Sequence, residues 1–359
     1  MLTTTNSAGK PHFATLDGLR GIAAVSVVIL HWFEGLGYSI FGASMLAVDF
    51  FFMLSGFVVA YSYEERLQKG FSFFKFMLLR IIRLHPMIIL GAILGLLRYE
   101  TKSYLETGGF SLEYLFQFFL AITMIPESLI RGDQNYEFFA INIAFWSLFC
   151  EFTAYILFGL LLFRLNKFTL FLIASTAFVG FCFWTQSSFG VQNSPPEVSI
   201  YYRLSRVVFS FTVGVILFRS RKSITALAQK WPSYMLLLLP LLLILPRHVL
   251  PWYVFALLAI ILLPTTIIVG VKSNFDGLSA KTVNFLGDIS FPVYAVHTPL
   301  LWGMGYLVKK MGVTNPNQIV WFGLIIIPVT IGLSYMALKL YDEPLRKYLK
   351  SRFSHYLHS

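Results

Sequence analysis

Charge is what this chain has least of. Asp, Glu, Lys and Arg make up 13% of its 359 residues, where a soluble domain carries about 25%. Hydrophobic residues reach 57%, so a water-facing surface could not be covered and a soluble globular fold is excluded. Cysteine is nearly absent. The two present, Cys150 and Cys182, fall inside apolar stretches, which excludes a disulfide framework and leaves them as small core residues. Acidic residues are also short, 17 against 28 Lys and Arg, for a net charge of +11. There is no long basic run and no soluble basic domain, so nucleic acid is not an expected partner. A cleavable leader is lacking too: the first dozen residues are polar, and Asp17 and Arg20 interrupt the first apolar stretch. That stretch reads as a signal anchor.

What the chain has instead is apolar length. A helix needs about 20 residues to cross the hydrocarbon core. Candidate spans fall at 16–36, 43–62, 84–98, 111–125, 141–163, 168–186, 204–219, 234–246, 252–270, 289–308 and 320–340. The stretch at 111–125 is short and holds Glu113 and Gln117. If it does not cross and the N-terminus is cytoplasmic, twenty of the 28 Lys and Arg lie inside and eight outside. If it crosses, the balance falls to 13 against 15. The positive-inside rule therefore favours ten spans with both termini cytoplasmic. The expected fold class is all-α, a polytopic membrane helical bundle at residues 13–346, with a short tail at 1–12 and a basic tail at 347–359. No internal repeat points to a transporter architecture.

Ionisable residues inside spans are costly and face a bundle interior or an aqueous cavity. The first span carries Asp17, Arg20, His31 and Glu34, which fall within an arc of about 100° on a helical wheel. His31 lies roughly 16 Å along the axis from Arg20. A neutral imidazole at that depth can take a proton from a hydroxyl or attack an acyl carbon; a packing histidine hydrogen-bonded between helices is the alternative. Asp49 opens the second span, as a partner for that imidazole or as an interfacial cap. Arg80 and Arg83 precede the third span and share a helix face at i, i+3, where two guanidinium forks can grip phosphate or simply anchor the chain to lipid. Trp146, Ser147 and Glu151 place a carboxylate near mid-bilayer, with Ser147 and Glu151 on one face. His297 is a second buried histidine, bracketed by Pro292 and Pro299, with a structural role as open as a catalytic one.

Five segments, taken together, resemble the membrane-bound acyltransferase-3 family, which O-acylates bacterial glycans and related molecules. They are Leu16–Gly21 running on to His31, Val48–Phe57, Arg80–Pro86, Trp146–Glu151 and Ser290–Leu301, with Glu343-Pro344 matching the closing element. The order is the family's. The chain departs from it after Glu151, where a Phe-Tyr pair is usual and Phe152-Thr153-Ala154-Tyr155 stands. It also shows no fused esterase-like domain.

The resemblance implies a ten-helix bundle in the bacterial inner membrane, with acyl-CoA, commonly acetyl-CoA, as donor from the cytoplasm and no metal. It implies an acceptor hydroxyl, often on a sugar, reached from the other side. His31 is then the leading catalytic residue, with Glu151 or Asp49 stabilising its imidazolium, and Arg80, Arg83 and Arg20 handle the donor. Asp17, Trp146, Ser147, His297 and Glu343 are further candidates. A proton-coupled permease using the same buried His, Glu and Arg is the competing expectation.

Overall fold

Apolar runs of this length can satisfy their backbone inside a bilayer as helices, and every element among the described residues is helical. The computed structural model describes residues 13–35, 38, 41–132, 137–189, 200–246, 250–273, 277–313 and 315–358. The expected tail at 1–12, Lys10, Arg247 and parts of the loops at 99–140 and 187–203 lie outside the described residues.

The long elements are α1 (Ala14–Glu34), α2 (Leu46–Gln68) and α3 (Phe73–Thr107). Then come two short helices, α4 (Leu112–Thr123) and α5 (Glu127–Arg131), followed by α6 (Phe145–Leu160), α7 (Lys167–Phe189) and α8 (Ile200–Arg219). After α9 (Arg221–Ala228), a 3-10 turn at Ser233–Leu237 leads into α10 (Leu238–Leu243), then α11 (Trp252–Lys272) and α12 (Gly277–Lys310). A π turn at Leu338–Asp342 joins α13 (Pro316–Ala337) to α14 (Glu343–Arg352). Among the described residues, seven helices are long and apolar enough to cross a membrane, with shorter apolar ones at 112–123, 145–160 and 233–243. The chain is a polytopic membrane bundle. α12 matches the long helices in length but carries Asn284, Asp288, Ser290 and His297, which dilute its apolar character. At twelve residues α4 is roughly 18 Å long, short of the ~30 Å core.

The third span differs from its expected range of 84–98. α3 starts at Phe73 and continues through Pro86, so Arg80 and Arg83 sit two turns inside the helix instead of before it. Two arginines and a proline mimic a helix boundary. A proline removes only one backbone donor, and neighbouring helices in a bundle tolerate the freed carbonyl.

α1 and α12 run side by side and set the frame of the site. Asp17 touches Gly287, Gly18 meets Val283, Gly21 meets Leu286, His31 meets His297 and Gly35 meets Trp302. Small residues let the backbones close, as is usual where helices pack in lipid. A Cβ on Gly21 would lie 2.1 Å from the Leu286 carbonyl oxygen, and backbone cannot yield as a side chain can. Gly21→Val therefore pushes α12 off α1 and is expected to destabilise by about 1–3 kcal/mol. A lowered midpoint in thermal unfolding of the detergent-solubilised protein checks this; an unchanged midpoint contradicts the packing. α2 and α8 meet in the same way through Gly56 and Gly214, whose added Cβ atoms would sit 2.1 and 2.0 Å from carbonyl oxygens of the facing helix.

Candidate active site

Between α1, α2, α3, α6 and α12 lies a cavity lined by Arg20, Arg80, Arg83, Ser147, Glu151 and Tyr294 among others. The bundle end where α1 and α12 begin is called the lower end here. Toward it, a second cavity is lined by Asp17, Asp288, Asp342, Glu343 and Arg346, and it shares Arg20 and Arg83 with the first. These two arginines stand at the junction.

Each guanidinium is held differently. Arg20 donates from Nε to Ser290 Oγ at 2.8 Å and pairs through a terminal nitrogen with Asp17 at 3.1 Å. Arg80 is buried and donates to the Tyr63 hydroxyl at 2.6 Å, its plane 4.6 Å from the Tyr63 ring centroid, while its Nε has no acceptor. Arg83 makes no hydrogen bond or ion pair among the described residues. Of the residues lining the first cavity Glu151 is the one carboxylate, and its Oε1 already accepts from Ser55 Oγ at 2.7 Å and from the Tyr155 hydroxyl at 2.5 Å. Three guanidinium groups face one carboxylate that already accepts from two hydroxyls, an excess of planar donors suited to phosphate oxygens.

Higher along α12, Tyr294 donates to or accepts from Ser147 Oγ at 2.5 Å. One turn further, His297 is fully buried, and its Nδ1 lies 2.8 Å from the Tyr294 carbonyl oxygen. A carbonyl can only accept, so the proton of a neutral His297 is on Nδ1. Its ring stacks on His31 at 5.3 Å between centroids. His31 Nδ1 lies 3.1 Å from Glu34 Oε2, which places a proton on Nδ1 and leaves the Nε2 lone pair as the basic or nucleophilic atom.

The arrangement thus brings Arg20, Arg80, Arg83, Ser147 and Glu151 to one cavity, and Asp17 and Glu343 to the one beneath it. Asp49 goes elsewhere. Its carboxylate accepts two hydrogen bonds from Arg206 of α8, at 2.6 and 3.1 Å, with both side chains 1% exposed. Trp146 belongs to that cluster, its ring 5.5 Å from the Arg206 guanidinium and 5.2 Å from that of Arg203. Glu343 pairs with Lys339. The carboxylate that meets the His31 imidazole is Glu34, where the sequence reading looked to Asp49 or Glu151. The i, i+3 spacing of His31 and Glu34 held that signal. Tyr63, Ser55, Tyr294 and Arg206 had none that spacing could reveal, since each meets its partner across helices.

Comparison with known proteins agrees with the reading of the motifs. Residues 13–339 match the acyltransferase-3 family, described as an acyltransferase domain. An 80-residue stretch is 42% identical to the Rhizobium radiobacter protein called "Protein 2 in picA locus", covering 22% of this chain and 41% of that protein's length. No solved structure matches. With the family's match running from the first turn of α1 to the end of α13 and through every residue of the arginine-lined cavity, this chain is a member of the acyltransferase-3 family.

Proposed function

We propose that the protein transfers an acyl group, acetyl in the first instance, from cytoplasmic acyl-CoA to a hydroxyl of an extracytoplasmic glycan. Family membership implies acyl transfer between a donor and an acceptor. The observation that carries the finer reading is the three-arginine cavity, which lies below a histidine whose Nε2 is free to act. The phosphates of CoA would sit against Arg20, Arg80 and Arg83, with the pantetheine arm reaching up past Tyr294. Charge asymmetry makes the lower end cytoplasmic, the compartment that supplies acyl-CoA.

In direct transfer His31 Nε2 takes the acceptor hydroxyl's proton as the oxygen attacks the thioester carbon. The C–S bond breaks, an ester C–O bond forms, and the proton passes to the departing thiolate. By the covalent route Nε2 itself attacks, the C–S bond breaks and CoA leaves as thiolate; the acceptor oxygen then attacks the acyl carbon, the C–N bond breaks, and the hydroxyl proton passes to the thiolate. Both routes need the Nδ1 proton held by Glu34.

Membrane vesicles supplied with labelled acetyl-CoA on the cytoplasmic face test the proposal. Label should appear in ester linkage on glycan at the opposite face, only when the protein is present. Uptake or counterflow of a substrate with no ester formed would instead identify a permease. Within this reading, Arg83→Ala is expected to raise KM for acetyl-CoA about ten-fold with a smaller change in kcat, as loss of one charge-assisted hydrogen bond does. An unchanged KM removes Arg83 from donor binding.

A further inference from the structure

A third cavity lies at the upper end, outside the donor machinery. It lies between the upper ends of α3 and α12 and shares no lining residue with the arginine cavity below. Trp32 and Gly35 of α1 form part of its wall, which puts it within about one helical turn of His31.

Three cations line this cavity, Arg98, Lys102 and Lys309, and no Asp or Glu does. Among the described residues none of the three has an ion-pair partner. Glu106, on the same stretch of α3, accepts from the Tyr306 hydroxyl at 3.2 Å. Lysines and arginines at a membrane edge often only reach for lipid phosphate. Arg98 does not extend that way. Its guanidinium lies 4.3 Å from the Tyr99 ring centroid and 5.0 Å from that of Trp302, against the cavity wall. The Trp302 indole N–H is buried beside Gly35 of α1, with no acceptor among the described residues. Gly303 and Gly305 put no side chain into the same wall. Aromatic side chains and three cations, with no carboxylate in the lining, make up a site for a sugar ring that carries negative charge.

We propose that this upper cavity seats the acceptor, and that the acceptor's sugar bears an anionic group, a carboxylate or a phosphate, held by Arg98 and Lys102. The proposal rests on the acyl-transfer reading for its meaning but is tested by binding alone. Protein in phosphatidylcholine nanodiscs is titrated with p-nitrophenyl glucuronide, glucose 1-phosphate and neutral p-nitrophenyl glucoside. The two anionic probes should bind about ten-fold tighter than the glucoside, the worth of one charge-assisted hydrogen bond. In R98Q/K102Q that preference should fall to about two-fold or less, while acetyl-CoA binding, which reports folding, stays unchanged. K102Q alone should lower it part of the way.

Equal affinities for charged and neutral probes overturn the proposal, as does a preference that survives the double substitution. Adding phosphatidylglycerol to the nanodiscs separates the sources of phosphate. If that lipid abolishes the preference, the cavity is a headgroup seat and the proposal fails. Failure of the acyl-transfer reading looks different: the preference stands, but no label from acetyl-CoA reaches any acceptor.

Discussion

Replacing His31 by alanine is expected to lower acyl transfer by about 10²–10⁴-fold, the usual contribution of a positioned acid–base group, with acetyl-CoA binding unchanged. The expectation follows from geometry. His31 Nδ1 is committed to Glu34 at 3.1 Å, so Nε2 alone carries the lone pair, and the arginines that would bind the donor lie a cavity away. Glu34→Gln should cost much less, because the amide oxygen can still accept from Nδ1–H. Glu34→Ala should cost more, because nothing then selects the tautomer. The two routes separate in the same variants: labelled acyl-enzyme trapped without acceptor and lost in His31→Ala identifies the covalent one. Full activity in His31→Ala would remove the histidine from the chemistry altogether.

The second large effect is on stability. Removing the Asp49 carboxylate, as in Asp49→Ala, is expected to destabilise the bundle by about 3–5 kcal/mol, because it strands a buried guanidinium. Arg206 is 1% exposed and spends its donors on Asp49 and the Met45 carbonyl oxygen. The pair ties α2 to α8 about two turns from the point where Gly56 and Gly214 let those helices touch. Asp49→Leu with Arg206→Met removes both charges and should recover most of the loss, as apolar replacements of buried pairs do elsewhere. Thermal midpoints of the single and double variants in detergent decide the matter. If the double variant is as unstable as Asp49→Ala, the charges do more than balance each other. Activity in a folded double variant would also show that Asp49 takes no part in catalysis.

These two sites show what a sequence can and cannot disclose in a membrane bundle. Burying charge in lipid is so costly that the stripe on α1 and the arginines at 80 and 83 stood out by composition alone. So did Glu151, and the structure brings Arg20, Arg80, Arg83 and Glu151 to one cavity, with Asp17 beneath it and Glu34 exposed above. Pairing did not show. Asp49, Trp146 and Arg206 come from three helices far apart in the chain, and nothing in the spacing of one helix reports which residue another helix turns toward it. Glu34 is the opposite case. Its partner lies three residues away on the same face, within reach of helix geometry, yet two more deeply embedded carboxylates drew attention from it. At α3 the helix runs well beyond the expected span on both sides, because charge and proline, which end helices in water, are accommodated here inside one.

The short bond between Ser147 and Tyr294 has a further consequence. It lies at the top of the arginine cavity, and one turn above it the stacked rings of His297 and His31 occupy the stretch of α1 and α12 that leads to the upper cavity. An energised membrane stores about 2.3 kcal/mol per unit charge for each 100 mV, and a water-filled bore joining both faces would discharge it. Aromatic side chains at this level stand between two cavities that share no lining residue, so the described interior is not one open bore. In the proposed transfer the acyl group would have to pass this level by movement of those side chains.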